Sequence, residues 1–147
     1  MQPFPHHYAV TAAADAAGEV TLETPGVATL RSAPPIEFGG PGDRWSPETM
    51  LVAAVVDCFV LTFRSIASAS KLSWMSLACE ATGTLDRVER VTQFTAFEVR
   101  ARLRIPPDGN EEQAQRVLER AETMCLVTNS LKAPSHLEAS VEVMALR

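Results

Sequence analysis

Ser46-Pro47-Glu48, followed by an almost wholly apolar stretch over residues 50–63, constrains this chain more than any other feature. Ser46 can accept a hydrogen bond from the first-turn amides as an N-cap, and Pro47 suits the first helical position, where no amide bond is lost. Glu48 complements the positive end of the helix dipole. The spacing predicts a helix running to about Ser70. It is apolar on nearly every side through Phe63, which predicts a central helix rather than a surface one.

The other segments arrange themselves around that helix. Residues 19–24 and 27–32 flank Pro25-Gly26, a turn dipeptide, and predict a hairpin. A rigid loop follows over residues 34–42. Met75, Leu77, Cys79 and Ala81 alternate with polar or small residues. Phe97, Val99, Ala101, Leu103 and Ile105 alternate cleanly with Glu98, Arg100, Arg102 and Arg104, which predicts one buried and one wet face. Pro106-Pro107-Asp108-Gly109 stops that strand. A second helix starts near residues 108–110, carries Ala114, Leu118, Ala121 and Cys125 on one face, and ends at Pro134. Leu137, Ala139, Val141 and Val143 mark a last strand. The order predicts an α+β fold with a mostly antiparallel sheet against two helices. At 147 residues the chain reads as a single domain, residues 1–147.

The net charge of −5 argues against non-specific nucleic-acid binding, which needs a positive field. The longest uninterrupted apolar run, residues 50–56, is far short of the roughly 20 residues of a membrane span. The N-terminus lacks the basic start and apolar core of a signal peptide. Three cysteines without a CxxC argue against a disulfide framework and for a reducing, cytoplasmic setting. No paired ligand spacing suggests zinc, and His6, His7 and His136 do not read as ligands. No metal or organic cofactor is implied. The arginines of residues 100–104 read as a solvated strand face paired with Glu80 or Glu138 across strands.

Cys58, inside the apolar helix, and Cys125, on the inner face of the second, are the residues that could carry chemistry. Two such thiols are what a dithiol redox centre would look like, whereas Cys79, on the inner side of a strand, reads as structural. The thiolate is the reactive form of cysteine, so a reactive Cys58 needs a cation from elsewhere. Arginine is the natural choice, with Glu48 as its matching carboxylate. Glu48 and Cys58 are ten residues apart, about 15 Å along a straight helix. If they share a site, the helix begins after a sharp bend or Glu48 comes from a second subunit. The second option predicts an obligate dimer.

Residues 37–48 (EFGGPGDRWSPE), then Cys58-Phe59, then residues 125–131 (CLVTNSL) resemble the superfamily of osmotically inducible protein C and organic hydroperoxide resistance proteins. The resemblance runs from about Pro34 to the C-terminus. The Pro-Glu to Cys-Phe spacing together with the late second cysteine makes it specific. It implies an intertwined homodimer with interfacial sites and a thiol peroxidase acting on alkyl or fatty-acid hydroperoxides. Cys58 would attack the peroxide, Cys125 would resolve the sulfenic acid as a disulfide, and Glu48 would pair with an activating arginine. An outside dithiol, such as a lipoylated protein, would re-reduce the pair. Two positions depart from the pattern: no arginine precedes Arg31, and Leu126 follows the second cysteine. Arg44 and Arg31 are the candidate arginines, Arg44 favoured because it adjoins Ser46-Pro47-Glu48.

The chemistry suits these residues. The displaced alkoxide needs a cation or donor nearby, and a second thiol rescues the sulfenic acid from over-oxidation. An apolar pocket lined by Met50, Phe59 and Phe63 would favour alkyl peroxides. The rival expectation is a non-enzymatic protein of the same fold that binds a small apolar ligand. A weaker one is a structural partner protein that uses the arginine stripe.

Overall fold

The computed structural model describes residues 1–146 of the chain. Two compact units divide it, Met1–Met50 and Leu51 onward.

In the first unit, β1 (Thr11–Ala14), β2 (Val20–Glu23) and β3 (Leu30–Ser32) form an antiparallel sheet in the order β1-β2-β3. The expected hairpin around Pro25-Gly26 is present, with both strands shorter than the periodicity suggested. β1 was not expected, because one threonine and three alanines carry little strand preference. The loop after β3 folds into a short 3₁₀ turn at Ile36–Phe38. A side chain on Gly40 would place its Cβ 1.6 Å from the Pro34 carbonyl oxygen, so only glycine fits. Ser46 caps the next helix as anticipated. The Thr49 amide donates to Ser46 Oγ over 3.1 Å, and the Ser46 amide donates to Thr49 Oγ1 over 2.9 Å.

Helix α1 (Pro47–Ala69) leads into the second unit. There β4 (Ser76–Val88), β5 (Val91–Ile105) and β6 (Ser135–Val143) form a sheet in the order β4-β5-β6. β4 and β5 are antiparallel and β5 and β6 parallel, so the sheet is mixed. Parallel neighbours need a crossover, and α2 (Glu111–Met124) with the short α3 (Leu126–Asn129) supplies it. The architecture is α+β, as expected.

The β4–β5 hairpin is longer than the alternation indicated. It turns at Glu89 and Arg90, both with positive φ (51° and 72°). Two successive left-handed residues match the twist of a tight hairpin. That geometry usually recruits asparagine or glycine, and the Glu-Arg pair here gave no such signal.

The sheet's inner face carries the core. Phe97, Val99, Ala101, Leu103 and Ile105 of β5 are all buried, as the alternation required. Against them pack Val55, Phe59, Phe63 and Ala67 of α1, at intervals of four, and Ala114, Val117, Leu118 and Ala121 of α2. The outer face holds the arginine stripe. Arg100 contacts Glu98 at 2.8 Å, Glu138 at 3.5 Å and Glu80 at 3.8 Å.

Two expectations need correction. First, α1 is not enclosed on every side: only its four-residue stripe is fully buried, and Leu61 is 51% exposed. One face of a three-stranded sheet and the crossover helices cannot cover a whole apolar cylinder. By length and mean hydropathy (1.9 over its most apolar 18 residues) α1 could even cross a membrane. Counting an uninterrupted run had hidden this, because Asp57 and Arg64 break the run without ending the helix. Second, α2 does not continue to Pro134. It stops at Met124, Cys125 takes an extended conformation (φ −64°, ψ 108°), and α3 follows. Side chains satisfy the carbonyls freed there. Asn129 Nδ2 donates to the Thr123 carbonyl over 3.0 Å, and Thr128 Oγ1 donates to that of Cys125 over 3.2 Å.

Phe63 is fully buried and meets Trp74 edge-to-face, with ring centroids 5.2 Å apart. Phe63→Ala should therefore lower unfolding free energy by about 3–5 kcal/mol. Urea titration followed by tryptophan fluorescence measures it, and a loss below 1 kcal/mol would contradict the packing.

Candidate active site

Cys58 lies in the middle of α1, half-buried, with Sγ 3.8 Å from Thr62 Oγ1 one turn later. It does not belong to the buried stripe. Leu51, Ala54, Cys58 and Leu61 follow each other at i, i+3, i+7 and i+10, a second apolar stripe beside the first. Leu51, Ala54 and Cys58 are only partly covered, and Leu61 is exposed.

Cys125 is 2% exposed. It sits in a closed seam too tight to admit water, which Val55, Phe59, Val99, Glu122, Thr128 and Ser135 also line. Val55 and Phe59 are the α1 residues three before and one after Cys58. The second cysteine therefore meets α1 at the turn that carries the first.

The charged candidates behave differently. Glu48 Oε1 is buried and has no hydrogen-bond partner among the described residues. A buried acceptor without a donor is costly, so its vacancy is informative. Arg44, expected beside Glu48, instead donates from Nε to Glu19 over 2.7 Å, and its Nη1 lies 3.4 Å from Asp43. Arg31 reaches the same Glu19 at 3.9 Å. Both candidate arginines thus converge on a carboxylate that sequence reading had not singled out. The hydrogen bond and charge of Arg44 hold the Glu19 carboxyl below the usual carboxylate range. Of the residues anticipated to line an apolar pocket, Phe59 and Phe63 are buried in the core. Among the described residues no cluster of three or more His, Cys, Asp or Glu could hold a metal.

A model of the family of OsmC-like proteins matches residues 40–140, more than two thirds of the chain. The chain belongs to the OsmC-like family. A Bacillus subtilis relative, the uncharacterized protein YmaD, is 25% identical over 128 residues, covering 84% of this chain and 85% of its own. Among solved structures, an OsmC-like protein of unknown function from Vibrio cholerae superposes with TM-score 0.85 at 18% identity, over 92% of this chain and 100% of that one. An organic hydroperoxide resistance protein OsmC from Legionella pneumophila gives 0.74 at 22% identity, over 96% and 100%. One from Elizabethkingia anophelis gives 0.75 at 20% identity, over 97% and 100%. At these identities the structures establish a shared OsmC-like fold, and several of its holders are named for hydroperoxide resistance.

Glu122 is the second residue that sequence reading passed over. It lies three residues before Cys125, but the helix ends between them, so no helical spacing marked the pair. Burial pushes its carboxyl above the usual range, opposed by the charge of His136 and reinforced by that of Glu119.

The third thiol is chemically quiet. Cys79 lies half-buried on β4, and burial pushes it up to about 11. Its folded-state value lies above the ordinary cysteine value, so the folded protein holds that proton through neutrality and begins to release it only in strong alkali. Alkylation of Cys79 by iodoacetamide, followed by peptide mapping, should be at least tenfold slower at pH 8 than for an unstructured cysteine. It should rise steeply only toward pH 11.

Proposed function

We propose that this OsmC-like protein is a two-cysteine thiol peroxidase that reduces organic hydroperoxides to alcohols. One observation carries the reading: Cys125 is buried against Val55 and Phe59, on the turn of α1 that bears Cys58. A disulfide between them requires Cα atoms within about 7 Å.

The steps balance with these residues. The Cys58 thiolate attacks one peroxide oxygen and becomes a sulfenic acid, and the other oxygen leaves as an alkoxide that takes up a proton. Cys125 then displaces the sulfenic oxygen as water and closes a disulfide. An outside dithiol, for which a lipoylated protein is our candidate, restores both thiols by exchange. A reducing cytoplasm suits such a cycle. The partly covered apolar stripe beside Cys58 favours alkyl or fatty-acid hydroperoxides over hydrogen peroxide.

The same stripe supports a homodimer. Leu51, Ala54, Cys58 and Leu61 have the i, i+3, i+7 spacing with which one helix packs against another. A second copy of α1 would cover it, and the outward Asp57 and Arg64 make lipid a poorer cover. The second copy also answers the orphaned Glu48 oxygen. Arg44 or Arg31 of that copy, each held by Glu19 in the single chain, would reach Glu48, and across the dimer that guanidinium would serve the second copy's Cys58 rather than the Cys58 about 15 Å along the same helix.

One equivalent of tert-butyl hydroperoxide should lower the intact mass by two hydrogens through a Cys58–Cys125 bond. Cys125→Ser should instead gain one oxygen, as a sulfenic acid on Cys58 that dimedone traps. An unchanged mass would point to the ligand-binding alternative. Analytical ultracentrifugation should find a dimer at micromolar concentration, and Leu61→Asp should weaken it at least 100-fold. A wild-type monomer would defeat the shared-site reading.

A further inference from the structure

The peroxidase reading leaves one step without an agent. Cys125 must shed its proton to attack the sulfenic acid, because the thiolate is the nucleophile. Its seam is lined by Val55 and Phe59 from α1, Val99 from β5, Thr128 from α3 and Ser135 from β6. The Thr128 hydroxyl is engaged, donating to the Cys125 carbonyl over 3.2 Å. The one other titratable group in the lining is Glu122, from the last turn of α2. The backbone ties the two together as well, since the Cys125 amide donates to the Glu122 carbonyl over 3.3 Å.

We propose that Glu122 accepts the Cys125 thiol proton during resolution and returns it to the departing hydroxide. The S–S bond forms as the S–O bond of Cys58 breaks, the proton passes through one carboxylate, and water leaves. No further oxidant or reductant enters. This rests on Cys58 and Cys125 being the redox pair, and it assigns the half-buried glutamate a catalytic role in the second half of the cycle.

The surroundings suit a proton acceptor. The faces of α1 and β5 toward Glu122 in the seam are apolar. The charges acting on it are Glu119 on its own helix and His136 on β6. Partial burial raises the carboxyl, and a carboxylate of raised pKa accepts a thiol proton more readily than an ordinary one. Acting as a base, Glu122 must be ionised. Disulfide closure should therefore slow as pH falls through its folded value, above the ordinary glutamate value of about 4.3.

The test follows disulfide closure after one equivalent of tert-butyl hydroperoxide, by rapid acid quench and intact mass, from pH 4.5 to 8. In the wild-type chain closure should lose rate with one acidic inflection. In Glu122→Gln it should be about 100-fold slower, with that inflection gone, and dimedone should trap the Cys58 sulfenic acid that accumulates. Glu122→Asp should recover part of the rate and keep an inflection. Equal closure rates and pH profiles in wild type and Glu122→Gln would overturn the role of Glu122 while leaving the redox pair intact. A slower but pH-parallel variant would also overturn it, as a packing effect. Failure of the wild type itself to form the disulfide would remove both the pair and this inference, and is recognised by its occurrence in every variant.

Discussion

The packing of one stripe of α1 on the inner face of β5 is the contact on which the second unit depends. Val55, Phe59, Phe63 and Ala67 recur every four residues, and Phe97, Val99, Ala101, Leu103 and Ile105 every two. Each period puts its apolar set on one side, and the two sides close on each other without water between them. β5 is the central strand, so losing its inner face would release β4 and β6 together. The parallel pairing of β5 and β6 then forces the chain to cross over, and α2 with α3 is the covering that crossover brings.

That geometry decides where the second sulfur lies. A helix that ran straight to Pro134 would have carried residue 125 along with Ala121 and Leu118. With the break at Cys125, the residue lies in a closed seam with Val55 and Phe59. The same two residues anchor α1 to the sheet. Core packing and the surroundings of Cys125 therefore share side chains, and a substitution that loosens one would be felt by the other. Meanwhile Cys58 lies outside the buried stripe, on a flank whose apolar residues the chain itself covers only in part. One helix thus serves two purposes, sealing the core with one face and presenting a thiol on the next.

Electrostatics adds an unfinished element. Glu19 gathers Arg44 and Arg31, while Glu48, at the head of the helix, keeps a buried oxygen without a donor. Exposed ion pairs such as those at Glu19 are weak and exchange readily. An enclosed carboxylate oxygen is a stronger demand. The imbalance between them is the electrostatic basis for assigning an arginine of a second copy to Glu48.

Local patterns were legible wherever a residue's role depends on its immediate neighbours. The Ser46 cap, the alternation of β5 and the Pro25-Gly26 turn follow from short-range geometry, and the pairing of Arg100 with Glu80 and Glu138 from strand alternation. The Glu89-Arg90 turn escaped because its residues are not those that usually take positive φ. By itself the sequence determined the α+β order, the two long helices and the buried face of β5. Only the tertiary structure decided that α1 keeps a second apolar flank open, that α2 breaks at Cys125, that Arg44 goes to Glu19, and that Glu122 shares the seam of Cys125. Those outcomes turn on which distant surfaces meet and how much apolar area one chain can cover, and spacing along the chain carries no record of either.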